Sequence, residues 1–292
     1  MGGVAIPRSQ EGRFARWWRT FTVAYWLGWQ IESNWTDPLL FLIYSVVRPL
    51  GGVLILTVMF FVVARGPRGP VLGFFVTGSA FWPFVVMAMQ GMAMGVLADR
   101  EHWKTLRYIY SAPISYRAYL VGRSLAQATS ALAAMGITLL FGRWVLGIPL
   151  HLSSMRPLLL VPSFFLGIAA IVAMGLVIIS ALVWISGEAW RLPEAVGAAL
   201  YLVCGVIFPV SVLPRGLQVL SMGIPLTWWL EAMRRSLLGE QTLLSFPWAS
   251  DGRVLGTLAL LVAVWSIGAA RAFSFAEFRA RALGILDQET GH

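Results

Sequence analysis

The side chains able to do chemistry are few and unevenly spread. The three histidines, His102, His151 and His292, lie far apart, and none falls in a metal-ligand spacing such as HExxH. Cys204 is the one cysteine, so a disulfide framework or thiolate metal site cannot form within one chain; a small buried apolar side chain is its expected role. The one lysine, Lys104, follows ADREHW rather than a glycine-rich loop, so although Thr105 comes next no Walker A phosphate cradle is built. Most of the 13 acidic residues sit in loops or termini, and no pair within an apolar run suggests a proton relay, a metal site or the carboxylates of a lipid-modifying enzyme. No catalytic residue, metal site or cofactor held by this chain is expected.

What stands out instead is charge crowded into short pieces. Asp99 to Arg123 reads DREHWKTLRYIYSAPISYRAYLVGR between two apolar runs. Asp99 to Tyr110 has the polarity of a short interfacial helix, and Pro113 pushes Ala112 out of helical geometry and ends it. Its candidate contact residues are Asp99, Arg100, Glu101, His102, Trp103, Lys104, Thr105, Leu106 and Arg107. They suit docking on a soluble protein, and they equally suit a solvated positive loop that only sets topology. A second piece, Gly205 to Gly239, carries Pro209, Pro214 and Pro225 between apolar runs too short to cross a bilayer, which predicts a re-entrant or interfacial hairpin. Within it Glu231 stands three and four residues before Arg234 and Arg235, so on a helix it can pair with either, beside Trp228 and Trp229. A third point is Arg48-Pro49, an arginine inside an apolar run beside a kinking proline: a polar point on a pathway or subunit seam, or a side chain snorkelling to the headgroups.

The elements that must hold these residues are written in the composition. The chain is 58% hydrophobic and only 12% charged, with a mean hydropathy of +0.76, whereas soluble domains carry about 25% charged residues. Six windows, 39–64, 71–98, 118–142, 157–185, 193–213 and 254–273, are long enough to cross a bilayer. A soluble catalytic domain of about 100 residues does not fit in the remainder. The formal charge of +9 is scattered over short loops rather than drawn into a stripe, which argues against nucleic acid as a partner. Arginines gather in 1–38, around 99–123 and after 270, a bias that puts both termini in the cytoplasm. In 1–38, Phe14, Trp17, Trp18, Phe21, Tyr25 and Trp29 share one helical face opposite Arg13, Arg16 and Arg19, as in a helix lying in the membrane interface. The first long apolar run begins too late for an ordinary cleaved signal peptide, so the first span is expected to be retained. Asn34-Trp35-Thr36 matches a glycosylation acceptor that a cytoplasmic position makes irrelevant. Gly91 and Gly95 in GMAMG allow close helix approach, within the chain or between copies.

Two blocks of residues resemble the type-2 integral membrane permeases of ABC exporters, which include drug, antibiotic, nodulation-factor and polysaccharide exporters. The first is Glu101, Thr105-Leu106, Ala112-Pro113-Ile114-Ser115 and Gly122-Arg123; the second is Phe208-Pro209, Leu213-Pro214, Pro225-Leu226-Thr227-Trp228 and Glu231 to Arg234. The likeness covers essentially the whole chain, although Lys104 and Arg107 stand where family members often have glycine and glutamate.

The resemblance implies an all-α integral membrane fold. A cytoplasmic segment 1–38 with its amphipathic helix precedes a six-helix permease domain, 39–273, and a cytoplasmic tail, 274–292, follows it. A coupling helix at about 99–112 would seat in an ATPase groove, and a re-entrant region at about 206–239 would form the outer gate. Spans one, two and five would line the path. The implied partners are two ABC ATPase subunits, which bind the ATP and Mg, and a second permease copy in a homodimer. The implied place is a bacterial or archaeal cell membrane, and the implied cargo is amphipathic, either drug-like or a lipid-linked glycan. Rival readings are a polytopic enzyme acting on lipid or polyprenyl substrates, against which the missing acidic and histidine clusters weigh, and an ion-coupled secondary transporter, against which the missing intramembrane acids and internal repeat weigh.

Overall fold

A computed structural model describes residues 12–33, 70–104, 106–112, 114–148, 150, 155–182, 184–185, 189–239 and 243–282, with single positions between 47 and 58. These residues form helices and turns, with no strand among them. In chain order the helices are α1 (Arg13–Ser33), α2 (Pro70–Leu97), α3 (Leu106–Ser111), α4 (Tyr116–Trp144), α5 (Pro157–Leu182), α6 (Arg191–Val203), α7 (Arg215–Met222), α8 (Pro225–Leu238) and α9 (Asp251–Ala282).

Four of them are long and apolar enough to cross a membrane, over Pro70–Arg100, Tyr116–Trp144, Pro157–Leu182 and Asp251–Ala280. They correspond to four of the six expected windows. Window 39–64, which carries Arg48 and Pro49, falls largely outside the described residues, as does Asn34-Trp35-Thr36. Window 193–213 behaves differently. Its helix α6 has 13 residues and rises about 20 Å at 1.5 Å per residue, short of a hydrocarbon layer of about 30 Å. Cys204 closes it, Gly205 follows at φ +71°, and Pro209 precedes the single 3₁₀ turn Val210–Val212. The left-handed backbone at Gly205 is open to glycine at little cost, and it turns the chain out of the helix.

Small residues set how closely the helices approach. A Cβ on Gly122 of α4 would lie 2.5 Å from the Phe21 carbonyl oxygen of α1, and one on Gly28 of α1 would lie 2.8 Å from Ala126 Cβ. So α1 lies on α4 backbone to backbone, and the Tyr25 hydroxyl adds a 3.0 Å hydrogen bond to that of Thr129. Gly91 and Gly95 of the GMAMG stretch face Gln127 and Arg123 of α4, which puts that motif at a contact within the chain. Gly167 of α5 makes room for the Trp229 indole, and Gly175 for the Met92 thioether. Cys204 is buried, as expected of a small apolar filler.

Side-chain contacts sort the helix ends into two levels. The end of α2 meets the start of α4 through Asp99 and Arg123, and the start of α4 meets the end of α9 through Arg117 and Ser274. At the opposite level the start of α2 touches α8 through Gly73 and Leu238. There, too, the segment before α5 bonds to α8 from Arg156 N to Ser236 O at 2.9 Å and pairs with the start of α9 at Asp251. Successive spans therefore run in opposite directions, as a chain threading back and forth through a membrane requires.

Candidate functional site

The charged stretch after α2 is two elements rather than the single helix expected from Asp99 to Tyr110. A π-helical turn, Ala98–His102, extends α2. The chain then breaks at Trp103 and Lys104, where Lys104 holds φ +51°, and α3 restarts at Leu106. A lysine in the left-handed region lacks glycine's freedom, so the sharp turn is held by what surrounds it.

The π-helical turn before it is anchored at its second residue. Asp99 is only 3% exposed. Its Oδ1 accepts from Arg123 NH1 at 2.7 Å and its Oδ2 from the Tyr119 hydroxyl at 2.7 Å, while Arg123 NH1 also donates to that hydroxyl at 3.0 Å. Tyr119 and Arg123 are one turn apart on α4, so a single face of α4 grips the last turn of α2. The Asp99 carboxylate is turned inward, toward Tyr119 and Arg123. The grip continues sideways: Tyr116 stacks on Phe273 of α9 at 6.2 Å, and Arg117 bonds to Ser274 and lies 5.5 Å from the Phe273 ring.

Of the other expected docking residues, Trp103 is 53% exposed, Lys104 is exposed and Arg100 is half-buried; Tyr108, which is not among them, is 62% exposed. Thr105 lies outside the described residues, as do the side chains of Glu101, His102, Leu106 and Arg107. The result is an exposed aromatic and basic knuckle hung from a buried ion pair.

At the other level stands a second polar centre. Glu231 of α8 pairs with Arg235 at 3.0 Å, and its second oxygen accepts the Ser245 amide at 3.1 Å. Arg235 also donates to the carbonyls of Ala249 and Phe246, both at 2.7 Å, and meets Asp251 at 3.2 Å. Asp251 in turn pairs with Arg156 at 2.5 Å. Of the two partners open to Glu231 in sequence, the structure brings it Arg235; Arg234 goes elsewhere. Arg234 NH2 donates to the carbonyls of Gly205 at 2.8 Å and Val206 at 3.0 Å, and its guanidinium lies 3.5 Å from the Phe74 ring centroid. A buried cation is thus met by backbone dipoles and a ring face instead of a carboxylate.

That contact fixes depth as well. A Cβ on Gly78 would sit 2.0 Å from the Val206 carbonyl oxygen, and Gly78 lies eight residues, about 12 Å, along α2 from its first residue. The non-helical backbone after α6 therefore sits well inside the bundle, where protein rather than lipid satisfies its carbonyls. Trp228 stacks on Phe246 at 4.4 Å and donates to the Met222 carbonyl at 2.9 Å, while Trp229 is enclosed by Phe81, Phe84 and Gly167. Both indoles are buried within the protein. Pro225 opens α8 at its first turn, where its missing N–H costs nothing. Pro214 precedes α7 and Pro209 the 3₁₀ turn. Arg48 and Pro49 lie outside the described residues.

Sequence reasoning missed Asp251 and Arg156 as members of this centre and Tyr119 as a member of the first. The Tyr119-Arg123 spacing is one helical turn and was available as a signal; the partners of Asp251 are joined only by the fold.

A sequence model of the family described as ABC-2 family transporter protein matches residues 63–271. No curated protein matches the chain at a significant level.

Proposed function

The chain belongs to the ABC-2 family of transporters, and from that premise we propose that it is the permease of an ATP-driven exporter, coupled to two separate ATPase subunits and paired with a second permease copy. It is a multi-pass membrane protein, and the proposed place is a bacterial or archaeal cell membrane with both chain termini in the cytoplasm. ATP and Mg would be bound by the partner ATPase, since the one lysine here lacks a phosphate-cradling loop.

The observation that carries this reading is the exposed Trp103–Lys104–Tyr108 knuckle seated on the buried Asp99–Tyr119–Arg123 clamp. An exposed indole and phenol beside a cation offer the amphipathic surface that protein interfaces favour. The clamp ties that surface to α2 and α4 at once, and Arg117 carries the tie to α9. A push on the knuckle from a closing ATPase pair would move three long helices rather than one loop. Proposed motion at this level reaches the other through α2, whose far end packs on α8 and the turn at Gly205 and Val206, the element read here as the outer gate.

The test is co-purification with the ATPase subunit, using Trp103→Ala with Tyr108→Ala in one variant and Glu101→Ala with Arg107→Ala in another. Lost assembly, or lost transport-coupled ATP hydrolysis in an intact assembly, is the expected result. Undiminished assembly and undiminished coupled hydrolysis in both variants would sink the coupling assignment.

A further inference from the structure

α9 keeps one side in and one side out along its length. Val254, Leu258, Val262, Ala269, Phe273 and Ala276 fall on one helical side and are buried. Leu260, Val264, Ile267, Arg271, Phe275 and Phe278 recur every three or four residues on the opposite side and are exposed. No charged residue occurs from Val254 to Ala270, a run of about 26 Å at 1.5 Å per residue, close to the hydrocarbon thickness of about 30 Å. Over that run the outward stripe is the lipid-facing side of a span.

Beyond Arg271 the helix runs on unbroken to Ala282, and the outward stripe changes character. Phe275 is 56% and Phe278 72% exposed. Arg271 and Arg279 are exposed, each one turn from Phe275, and the Arg279 guanidinium lies 5.4 Å from the Phe275 ring centroid. The acid of this stretch, Glu277, is half-buried; it stands two residues from both Phe275 and Arg279, and so on the other side of the helix. Among the described side chains this face carries two cations, two rings and no anion. Arg271 to Phe278 covers about 10 Å of helix axis, and a headgroup layer is about 5–8 Å deep on each side of a bilayer. The four residues therefore stand where hydrocarbon gives way to headgroups.

We propose that this face binds anionic phospholipid, with Arg271 and Arg279 meeting headgroup phosphate and Phe275 and Phe278 set among the glycerol and upper acyl carbons. Arginine's fork of N–H donors matches phosphate oxygens, and rings beside basic residues are what a helix presents at a membrane interface. Continuity decides for lipid over a soluble partner: the same side of the same helix faces hydrocarbon one turn earlier, and no proline or turn redirects it. The site also has a route to the knuckle. Phe273 and Ser274, beside it on α9, meet Tyr116 and Arg117 of α4, whose next turns grip Asp99. Lipid held here steadies the end of α9 against α4 and raises the yield of ATP-driven motion. That consequence rests on the exporter reading, whereas the binding itself does not.

The experiment titrates the full chain in detergent with dioleoyl phosphatidylglycerol or dioleoyl phosphatidylcholine and counts the first bound lipids by native mass spectrometry. Phosphatidylglycerol is expected to bind roughly tenfold tighter, and Arg271→Gln with Arg279→Gln should remove about tenfold of its affinity. Phe275→Ala with Phe278→Ala should weaken both lipids about threefold. Arg143→Gln with Arg253→Gln removes equal charge from the other level, at the end of α4 and the start of α9, and should change neither lipid by more than about twofold. A melting curve for each variant checks that it stays folded. Free glycerol phosphate should not displace lipid, since it lacks the chains that the rings hold. Equal affinity for the two lipids, equal losses from the two arginine pairs, or displacement by glycerol phosphate would each overturn the proposal. Lost co-purification with the ATPase in the phenylalanine variant, with lipid binding unchanged, would hand the face to that subunit and overturn it as well. For the assembled complex in phosphatidylcholine nanodiscs, added phosphatidylglycerol should raise transport-coupled hydrolysis severalfold in the parent and not in the Arg271 and Arg279 variant; an equal rise in both would overturn the coupling consequence. A parent that fails to assemble with the ATPase would sink the exporter reading and leave the lipid titration decisive.

Discussion

The two polar centres bury charge at opposite levels of the same bundle, and they do so in different ways. The clamp between the end of α2 and the start of α4 is one acid, one base and one phenol, joining two of the long spans. The centre around α8 ties α8, the segment before α5, the Ser245–Ala249 turn and the start of α9 through Glu231, Arg235, Asp251 and Arg156, with Arg234 holding the end of α6. Both face the cost of taking ions out of water, which is met only where geometry and extra hydrogen bonds are good. A many-handed network fixes the position of several segments, whereas a single pair can open and reclose without unfolding its surroundings. The difference suggests a fixed frame at one level and a movable joint at the other.

The largest effect should come from breaking the frame. Arg235→Ala leaves the Glu231 carboxylate, 0% exposed, without its cation and strips the Phe246 and Ala249 carbonyls of their donor. Removing one partner of a buried pair costs about 3–5 kcal/mol, so the variant should unfold at markedly lower temperature in detergent or be lost before purification. A melting temperature equal to that of the parent would show that α8 is not held in this way.

The joint should respond differently. Asp99→Asn keeps an acceptor for Tyr119 but leaves Arg123 without a carboxylate. A cost of about 2 kcal/mol is expected, less than full removal of a buried partner because the hydrogen bonds survive in part. Folding and association with the ATPase should persist, while transport per ATP hydrolysed falls severalfold. If the loss were instead in assembly, Asp99 would belong to the docking surface and the inward placement would be of no consequence.

How much of this was legible beforehand follows from distance along the chain. Apolar length announced four of the spans, and the Glu231-Arg235 pair is one helical turn that any reading of α8 exposes. The stretch after Asp99 was legible as a charged, aromatic break between two spans but not in its division of labour. Nothing local distinguishes Asp99, which folds inward, from Lys104, which is exposed, because the partner that decides it, Arg123, lies 24 residues on. Arg156 and Asp251 are separated by 95 residues, and no spacing rule joins them. The shortness of α6 had its signals in Gly205 and Pro209, but hydropathy alone runs through both. The carbonyl partners of Arg234 carried no signal, since backbone carbonyls at a helix end look alike in every sequence.

The smallest expected effect separates the two arms of Asp251. Arg156 and Arg235 both pair with this carboxylate, yet the Arg156 and Asp251 side chains are 45% and 36% exposed whereas that of Arg235 is 6% exposed. Exposed pairs contribute about 0–1 kcal/mol and are screened by salt, whereas a buried arginine that also saturates carbonyls is not. Arg156→Ala should therefore shift the melting temperature by no more than a degree or two, and that shift should vanish when ionic strength is raised from low salt to about 1 M. The Arg235→Ala deficit should persist in the same high salt. A salt-resistant loss in the Arg156 variant would mean that Asp251 is held from both sides as part of the frame. It would also move the boundary between fixed and movable parts outward, to the segment that enters α5.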